Sequence, residues 1–190
     1  MKLYISRHGQ SIYNILKKIG GNSSLSDNGK LYANKLANYF NNFNDLTIYT
    51  SELKRTNQTC NDIKFKKNIY SCLNEINAGI CDGLTYKEIE EKYPDIHNNR
   101  LKDKLNYRYP EGESYIDLIN KIKPFIEKIK NKNEENILIV GHQAVLRVIF
   151  GLLYNISYEK IPYLSIKLHL LKELIIDNNF MIVKENNIEF

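Results

Sequence analysis

Cysteine is scarce in this chain. Its 190 residues hold Cys60, Cys72 and Cys81, an odd number with no CxxC pair, which argues against both a disulfide framework and a thiolate metal site. Three buried, inert thiols in a reducing compartment are expected. No window approaches the roughly 20 consecutive apolar residues of a membrane span, and the N-terminus lacks the apolar stretch of a signal peptide. The expectation is a cytoplasmic protein that does not engage a membrane. Long basic runs are missing too: the formal charge is +5, with lysines spread along the sequence, which favours small acidic ligands over nucleic acid. His97 and His169 read as surface or core residues, because no acid or second ligand sits at metal-binding spacing near either; no metal site and no cofactor are expected. There is no internal repeat. What is present is 43% hydrophobic and 26% charged residues, enough to bury an ordinary core in one domain spanning residues 1–190.

Strand-like and helix-like patterns alternate along the chain, which predicts an α/β fold with a mostly parallel central sheet covered by helices on both faces. Leu3, Tyr4 and Ile5 begin a strand that stops at Gly9, and Ser11 can cap a helix after it. Ile12, Ile15, Leu16 and Ile19 suggest that this helix is short and ends at Gly20 and Gly21. A second helix, capped by Ser26, shows an apolar face through Tyr32, Ala33, Leu36, Ala37, Tyr39 and Phe40. Strands are predicted over Leu46–Thr50 and Ile69–Leu73, with Ser51 capping a helix that carries Lys54 and Arg55. Thr85 and Glu88 form a capping box for a helix ending before Pro94. Residues 94–113 are polar and weak in hydrophobic period, and read as an irregular segment over the site. Ser114 caps the clearest helix, expected to kink at Pro124. Asn136–Val140 has the continuous apolar centre of a buried parallel strand, and a helix over Ala144–Leu153 comes next. The tail from Tyr163 alternates as edge strands do.

Chemistry-bearing side chains stand beyond four predicted strand ends: Arg7 and His8, Arg55, Glu75, and His142. In open α/β sheets, sites form beyond the carboxyl ends of the strands, so these residues can converge in one cleft. A neutral imidazole attacks phosphorus well, and transfer first to nitrogen and then to water divides one hard step into two. Arginines and a second histidine would spread positive charge over the moving phosphoryl oxygens, while a carboxyl protonates the leaving alkoxide. Each residue alone has a plainer reading. A histidine after a strand is more often structural. Arg100 and Lys104 read as a solvated like-charge pair, although an anion between them is at least as plausible. Tyr107, Tyr109 and Tyr115 read as packing.

The ordered set Arg7-His8-Gly9, Asn14, Ile19-Gly20-Gly21, Leu25-Ser26, Lys54-Arg55-Thr56, Asn74-Glu75-Ile76, Gly112-Glu113-Ser114-Tyr115 and His142-Gln143-Ala144 resembles the histidine phosphatase superfamily. Within it, the chain is most similar to the fructose-2,6-bisphosphatase domain, over residues 3 to about 172. The resemblance implies a three-layer, phosphoglycerate mutase-like α/β/α fold, a metal-free mechanism and a phosphohistidine. It makes His8 the nucleophile and Glu75 the acid, with Arg7, Arg55, His142 and Asn14 around the transferred 2-phosphate. Tyr86, Arg100, Lys104, Tyr115, Gln143 and Arg147 would hold the sugar and its 6-phosphate, with backbone contacts at Ile19 and Gly20. Gln143 and Arg147, four apart, share a helix face independently of any resemblance. Two departures stand out: Gln10 where glutamate is common, expected to face the next helix, and Asn77 where an acid beside Glu75 is expected. No GxxxxGK[ST] phosphate loop is present, so no kinase domain is expected.

The partner this implies is a small phosphorylated sugar. Other readings are a phosphoglycerate mutase or broad-range phosphomonoesterase using the same His8 and Glu75, and a non-catalytic phosphosugar-binding module. Gln143-Ala144 after His142, where those enzyme relatives usually have glycine, argues against the first.

Overall fold

The computed structural model describes residues 1–190. Four parallel strands, β1 (Lys2–Arg7), β2 (Thr47–Thr50), β3 (Lys67–Ile69) and β4 (Asn136–Gly141), join two antiparallel ones, β5 (Leu171–Ile176) and β6 (Ile182–Ile188). The sheet order is β3-β2-β4-β1-β5-β6. Apolar alternation along the strands builds the two faces. Tyr4, Ile48, Leu138 and Val140 pack against α2 (Asp27–Phe40). Leu3, Ile5, Ile137 and Ile139 point the other way, onto α6 (Tyr115–Lys130) and α7 (Gln143–Leu153). The result is the three-layer α/β/α arrangement expected.

Register is what places the site. In the β1–β4 ladder Arg7 pairs with Gly141, so His8 and His142, the next residue of each strand, emerge side by side at the carboxyl edge. The His8 amide closes the ladder on the Gly141 carbonyl at 2.9 Å.

Several local expectations are corrected. The first short helix, α1, is the single turn Ile12–Ile15, because Lys17 takes a left-handed φ of 56° and breaks the pattern. Its Ile15 is 55% exposed. The third strand is Lys67–Ile69 rather than Ile69–Leu73, and Ser71–Leu73 forms a 3₁₀ turn. That turn drops Leu73 fully into the core and brings the chain back towards the sheet edge at Glu75. Ser51 does not cap the next helix, α3 (Lys54–Thr59), whose N-cap is Leu53; the Ser51 hydroxyl is engaged by His142 and Thr56. After α4 (Tyr86–Lys92), the stretch read as irregular begins with a helix, α5 (Pro94–Lys102). Proline at its first position costs no intrahelical hydrogen bond, and none of the residues of α5 is buried, so the helix carries no apolar face for a sequence pattern to show. Farther on, Leu105 and Tyr109 are buried. Pro124 does not end helix α6, which continues to Lys130. Of the two tail strands only β6 lies at an edge, since β5 sits between it and β1. Of the three thiols expected to be buried, Cys72 is only half-buried.

Candidate functional site

His8, 2% exposed, lies on the floor of a cleft of about 290 Å³ at the carboxyl edge of the sheet. Its Nδ1 is 2.7 Å from the Gly9 carbonyl. A carbonyl only accepts, so Nδ1 carries the proton and Nε2 keeps its lone pair. Burial, followed by the charges of Arg55 and Arg7, holds the imidazole well below the usual histidine range, so it stays neutral. The lone pair faces Arg55, whose Nε donates to His8 Nε2 at 3.2 Å and to His142 Nδ1 at 3.1 Å.

His142 is fully buried. With Nδ1 accepting from Arg55, its Nε2–H donates to Ser51 Oγ at 2.8 Å. Ser51 in turn is 2.7 Å from the Thr56 hydroxyl, which donates to the Leu53 carbonyl. Burial and then Arg55 also keep this ring neutral. The two rings are 5.2 Å apart. Sequence patterns missed Ser51's role because a serine after a strand signals a cap equally well.

Both arginines are short of acceptors. Arg55 gives one N–H to the Gly21 carbonyl at 2.7 Å, and burial lowers its pKa. Arg7 donates once, to the Ile166 carbonyl at 3.2 Å, while its buried Nε has no partner. Burial, partly relieved by Glu75, lowers its pKa to about 10. A buried N–H left without an acceptor costs about 1–3 kcal/mol, and an anion between Arg7, His8 and Arg55 would relieve it.

Glu75 also lines the cleft. Its Oε1 receives two backbone amides, from Ile76 and from Ala144 in the first turn of α7, each at 3.1 Å. With Oε1 committed as an acceptor, Oε2 is the oxygen available to carry a proton. Asn77 does not touch it; its side chain accepts from the Gly79 amide instead. Asn14, at the same cleft, uses its Oδ1 to close a capping box with Ser11.

The cleft continues away from His8. Ile19, Gly20, Tyr86, Arg100, Tyr115, Gln143 and Arg147 all line it, the residues that the resemblance places around a sugar phosphate. Lys104 does not; it lies in an adjoining cavity that shares Tyr86, Arg100, Gln143 and Arg147 with the first. Arg100 is not a solvated partner of Lys104 but sits over the rings of Tyr86 and Tyr109, 5.4 and 5.5 Å from their centroids. Tyr109, read as packing, therefore belongs to the site wall. Arg147 is fixed by the Tyr115 hydroxyl at 3.0 Å and the Leu164 carbonyl at 2.7 Å. The Lys104 ammonium donates to the Pro162 carbonyl at 2.8 Å, and burial, with Arg147 and Arg100 nearby, lowers its pKa to about 8. These cations lack anionic partners: the ion pairs of the fold lie elsewhere.

The loop that carries Ile19 and Gly20 is pinned by Asp82, a residue that no sequence pattern singles out. Its Oδ2 accepts from the Gly21 amide at 3.3 Å and Oδ1 from Ala78 at 3.1 Å. Gly20 has a φ of 61°, and a Cβ there would fall 1.8 Å from the Asp82 carboxylate, so only glycine fits. Gln10 faces the next helix as expected, accepting from Ser26 at its N-cap.

A sequence profile of the histidine phosphatase superfamily, branch 1, matches residues 3–189. The Saccharomyces cerevisiae fructose-2,6-bisphosphatase is 47% identical over 175 residues, covering 90% of this chain and 38% of that protein. The rat bifunctional 6-phosphofructo-2-kinase/fructose-2,6-bisphosphatase 3 is 42% identical over 174 residues, 90% of this chain and 31% of its own length. The chain thus spans less than two fifths of these relatives. Among solved structures, the α-ribazole phosphatase of Shigella flexneri superposes with a TM-score of 0.89 at 20% identity, covering 97% and 95% of the two chains. A mycobacterial glucosyl-3-phosphoglycerate phosphatase gives 0.78 at 19%, covering 98% and 96%. At such identities the structural likeness speaks to the fold.

Proposed function

The chain belongs to the histidine phosphatase superfamily, and from that premise we propose that it removes the 2-phosphate of fructose 2,6-bisphosphate, releasing fructose 6-phosphate and inorganic phosphate. The observation that carries this reading is the two-ended distribution of cations along the cleft and the cavity that adjoins it. Arg7 and Arg55 flank His8 at one end, and Arg100, Arg147 and Lys104 gather at the other. A sugar with a phosphate at each end satisfies both groups, whereas a monophosphate leaves one without an anion. The names of the yeast and rat relatives point to the same substrate.

In the proposed reaction, His8 Nε2 attacks the 2-phosphorus; the P–N bond forms as the bond to the sugar oxygen breaks. Arg55 already bridges the two histidines, and Arg7 Nε is short of an acceptor. Both therefore stabilise the equatorial oxygens with little reorganisation, where each such donor is worth about 10²–10³ in rate. Glu75, through Oε2, gives its proton to the departing alkoxide. It then takes one from the water that cleaves the phosphohistidine, which returns His8 to its starting state. His142 and Asn14 contact the transferred group, and Tyr86, Tyr115, Gln143 and the Ile19–Gly20 backbone contact the sugar. The unpaired Cys60, Cys72 and Cys81 favour a reducing compartment, the cytoplasm.

The test is an assay of purified protein against fructose 2,6-bisphosphate, 3-phosphoglycerate and an aryl phosphate. A strong preference for the bisphosphate, with an acid-labile phosphoenzyme that His8→Ala abolishes, is expected. Equal kcat/KM on all three would mean a broad-range phosphomonoesterase, mutase activity on 3-phosphoglycerate a mutase, and binding without turnover a non-catalytic module.

A further inference from the structure

Behind the nucleophile loop lies a histidine that the proposed chemistry does not use. His169 lies just before β5, on the chain that pairs Leu171 with Ser6 of β1 in antiparallel register. Continuing that register past the strand end brings His169 alongside the His8 loop. Its Nε2 lies 3.0 Å from the amide nitrogen of Gln10, 159 residues away in sequence. An amide only donates, so Nε2 is the acceptor and the ring is the neutral, Nδ1-protonated tautomer. The ring stacks on Tyr32 of α2, with centroids 4.7 Å apart and planes 15° from parallel, and the Tyr32 hydroxyl is 2.7 Å from Ser6 Oγ. The backbone of His169 is left-handed, with φ 58°, a conformation that persists in a non-glycine residue where its surroundings hold it.

We infer that His169 is a positioning residue for the nucleophile: its imidazole accepts the Gln10 amide and thereby fixes the Gly9 carbonyl that sets the tautomer of His8. Each link is a hydrogen bond on one short stretch. The Gly9 amide goes to Thr59 Oγ1 at 2.9 Å, the Gly9 carbonyl to His8 Nδ1 at 2.7 Å, and the Gln10 amide to His169. Without the third, the peptide between Gly9 and Gln10 is free to rotate, and its carbonyl leaves Nδ1. The segment before His169 also supplies carbonyls to the site: Pro162, near the end of a 3₁₀ turn, holds Lys104, and Leu164 and Ile166 beyond it hold Arg147 and Arg7. The link is also sensitive to acid. A protonated His169 has two donors and no acceptor, and would face the Gln10 N–H with a proton of its own. The groups around it are Lys35 and Tyr32 from α2 and Arg7 and His8 from β1 and its tip. Burial, then Lys35 and Arg7, lowers its pKa, and Tyr32 is pushed up to about 12 and so stays neutral.

The experiment compares wild type, His169→Ala and His169→Gln on an aryl phosphate, so that it is read independently of which sugar phosphate is the true substrate. Glutamine restores an acceptor that cannot be protonated. For His169→Ala, kcat falls by about 10- to 100-fold, the scale of a misplaced reacting group, with KM within about twofold. His169→Gln recovers to within about threefold of wild type, and its kcat loses less activity on acidification than wild type does. Melting temperature is measured for each variant; if the alanine variant does not fold, the glutamine variant and the difference in acid limbs decide. A folded His169→Ala with wild-type kcat, a glutamine variant as impaired as alanine, or identical acid limbs in wild type and His169→Gln would each overturn the inference.

Discussion

Lys104 offers the sharpest test of a second phosphate subsite, because its ammonium is held in an unfavourable state until an anion arrives. In the free protein, burial and the neighbouring Arg147 and Arg100 lower its pKa from 10.5 to about 8. A phosphate dianion beside it reverses the sign of the local field and raises that pKa again. Binding therefore takes up a proton between the two values. Affinity for the bisphosphate is full below about pH 8 and declines as pH rises through it, by up to one decade per unit for a single titrating group. At about pH 9 the KM should be about tenfold above its neutral plateau. Lys104→Arg keeps a cation that does not titrate in this range and should flatten the profile. Lys104→Met should raise KM by about 10- to 100-fold below about pH 8, the loss of a charge-assisted hydrogen bond of about 1.5–3 kcal/mol, and the gap to wild type should narrow above it. The assay is steady-state kinetics of the three proteins on fructose 2,6-bisphosphate and on an aryl monophosphate between about pH 6 and pH 9.5. KM for the monophosphate should be unaffected by either substitution. A KM that climbs above pH 8 in Lys104→Arg as it does in wild type would refute the reasoning, as would an equal loss on both substrates.

Two further perturbations address the reaction centre and its scaffold. Glu75→Gln keeps the geometry at Oε1 but cannot supply a proton, so kcat on the bisphosphate should fall by about 10²–10⁴. An aryl phosphate, whose leaving group needs no proton, should still phosphorylate His8, and the phosphoenzyme should accumulate because its hydrolysis lacks a base; rapid-quench trapping that finds no accumulation would count against Glu75 in both roles. Gly9→Ala would set a Cβ 2.5 Å from the Gly29 carbonyl, a backbone atom that cannot swing aside. Overpacking of this kind costs about 1–3 kcal/mol, which for a chain of this size lowers Tm by about 2–4 °C per kcal/mol, and an unchanged melting curve would show that the contact is relieved cheaply.

How legible each feature was in the sequence depends on how it is encoded. His8 and His142 could be anticipated because strand ends in a parallel sheet project to one edge, and apolar runs such as Ile137–Val140 mark those strands strongly; Glu75 was placed after a strand that in fact ends at Ile69, and reaches the edge through the 3₁₀ turn instead. Arg100 and Lys104 could be singled out but not separated: four residues apart they look like one helix face, whereas Lys104 lies beyond the end of α5 and lines only the adjoining cavity, while Arg100 lines both. Tyr109, Asp82 and Ser51 stayed hidden because their partners are distant in sequence. Nothing local distinguishes a tyrosine under Arg100 from one in a core, or a serine bonded to His142 from a helix cap. The segment before β5 was hidden more deeply still, since backbone carbonyls do its work and leave no mark in side-chain pattern. Its alternation was legible as extended chain, but the consequence of that geometry was not. Successive carbonyls of an extended chain point to opposite sides, so Leu164 and Ile166 face the same way and meet Arg147 of α7 and Arg7 of β1, while Pro162, near the end of the 3₁₀ turn before them, meets Lys104 from the loop after α5. The spacing between the two ends of the site is therefore set by main-chain geometry rather than by the identity of any residue in that segment. Substitutions there should be tolerated far better than a one-residue insertion, which would turn the alternate carbonyls away.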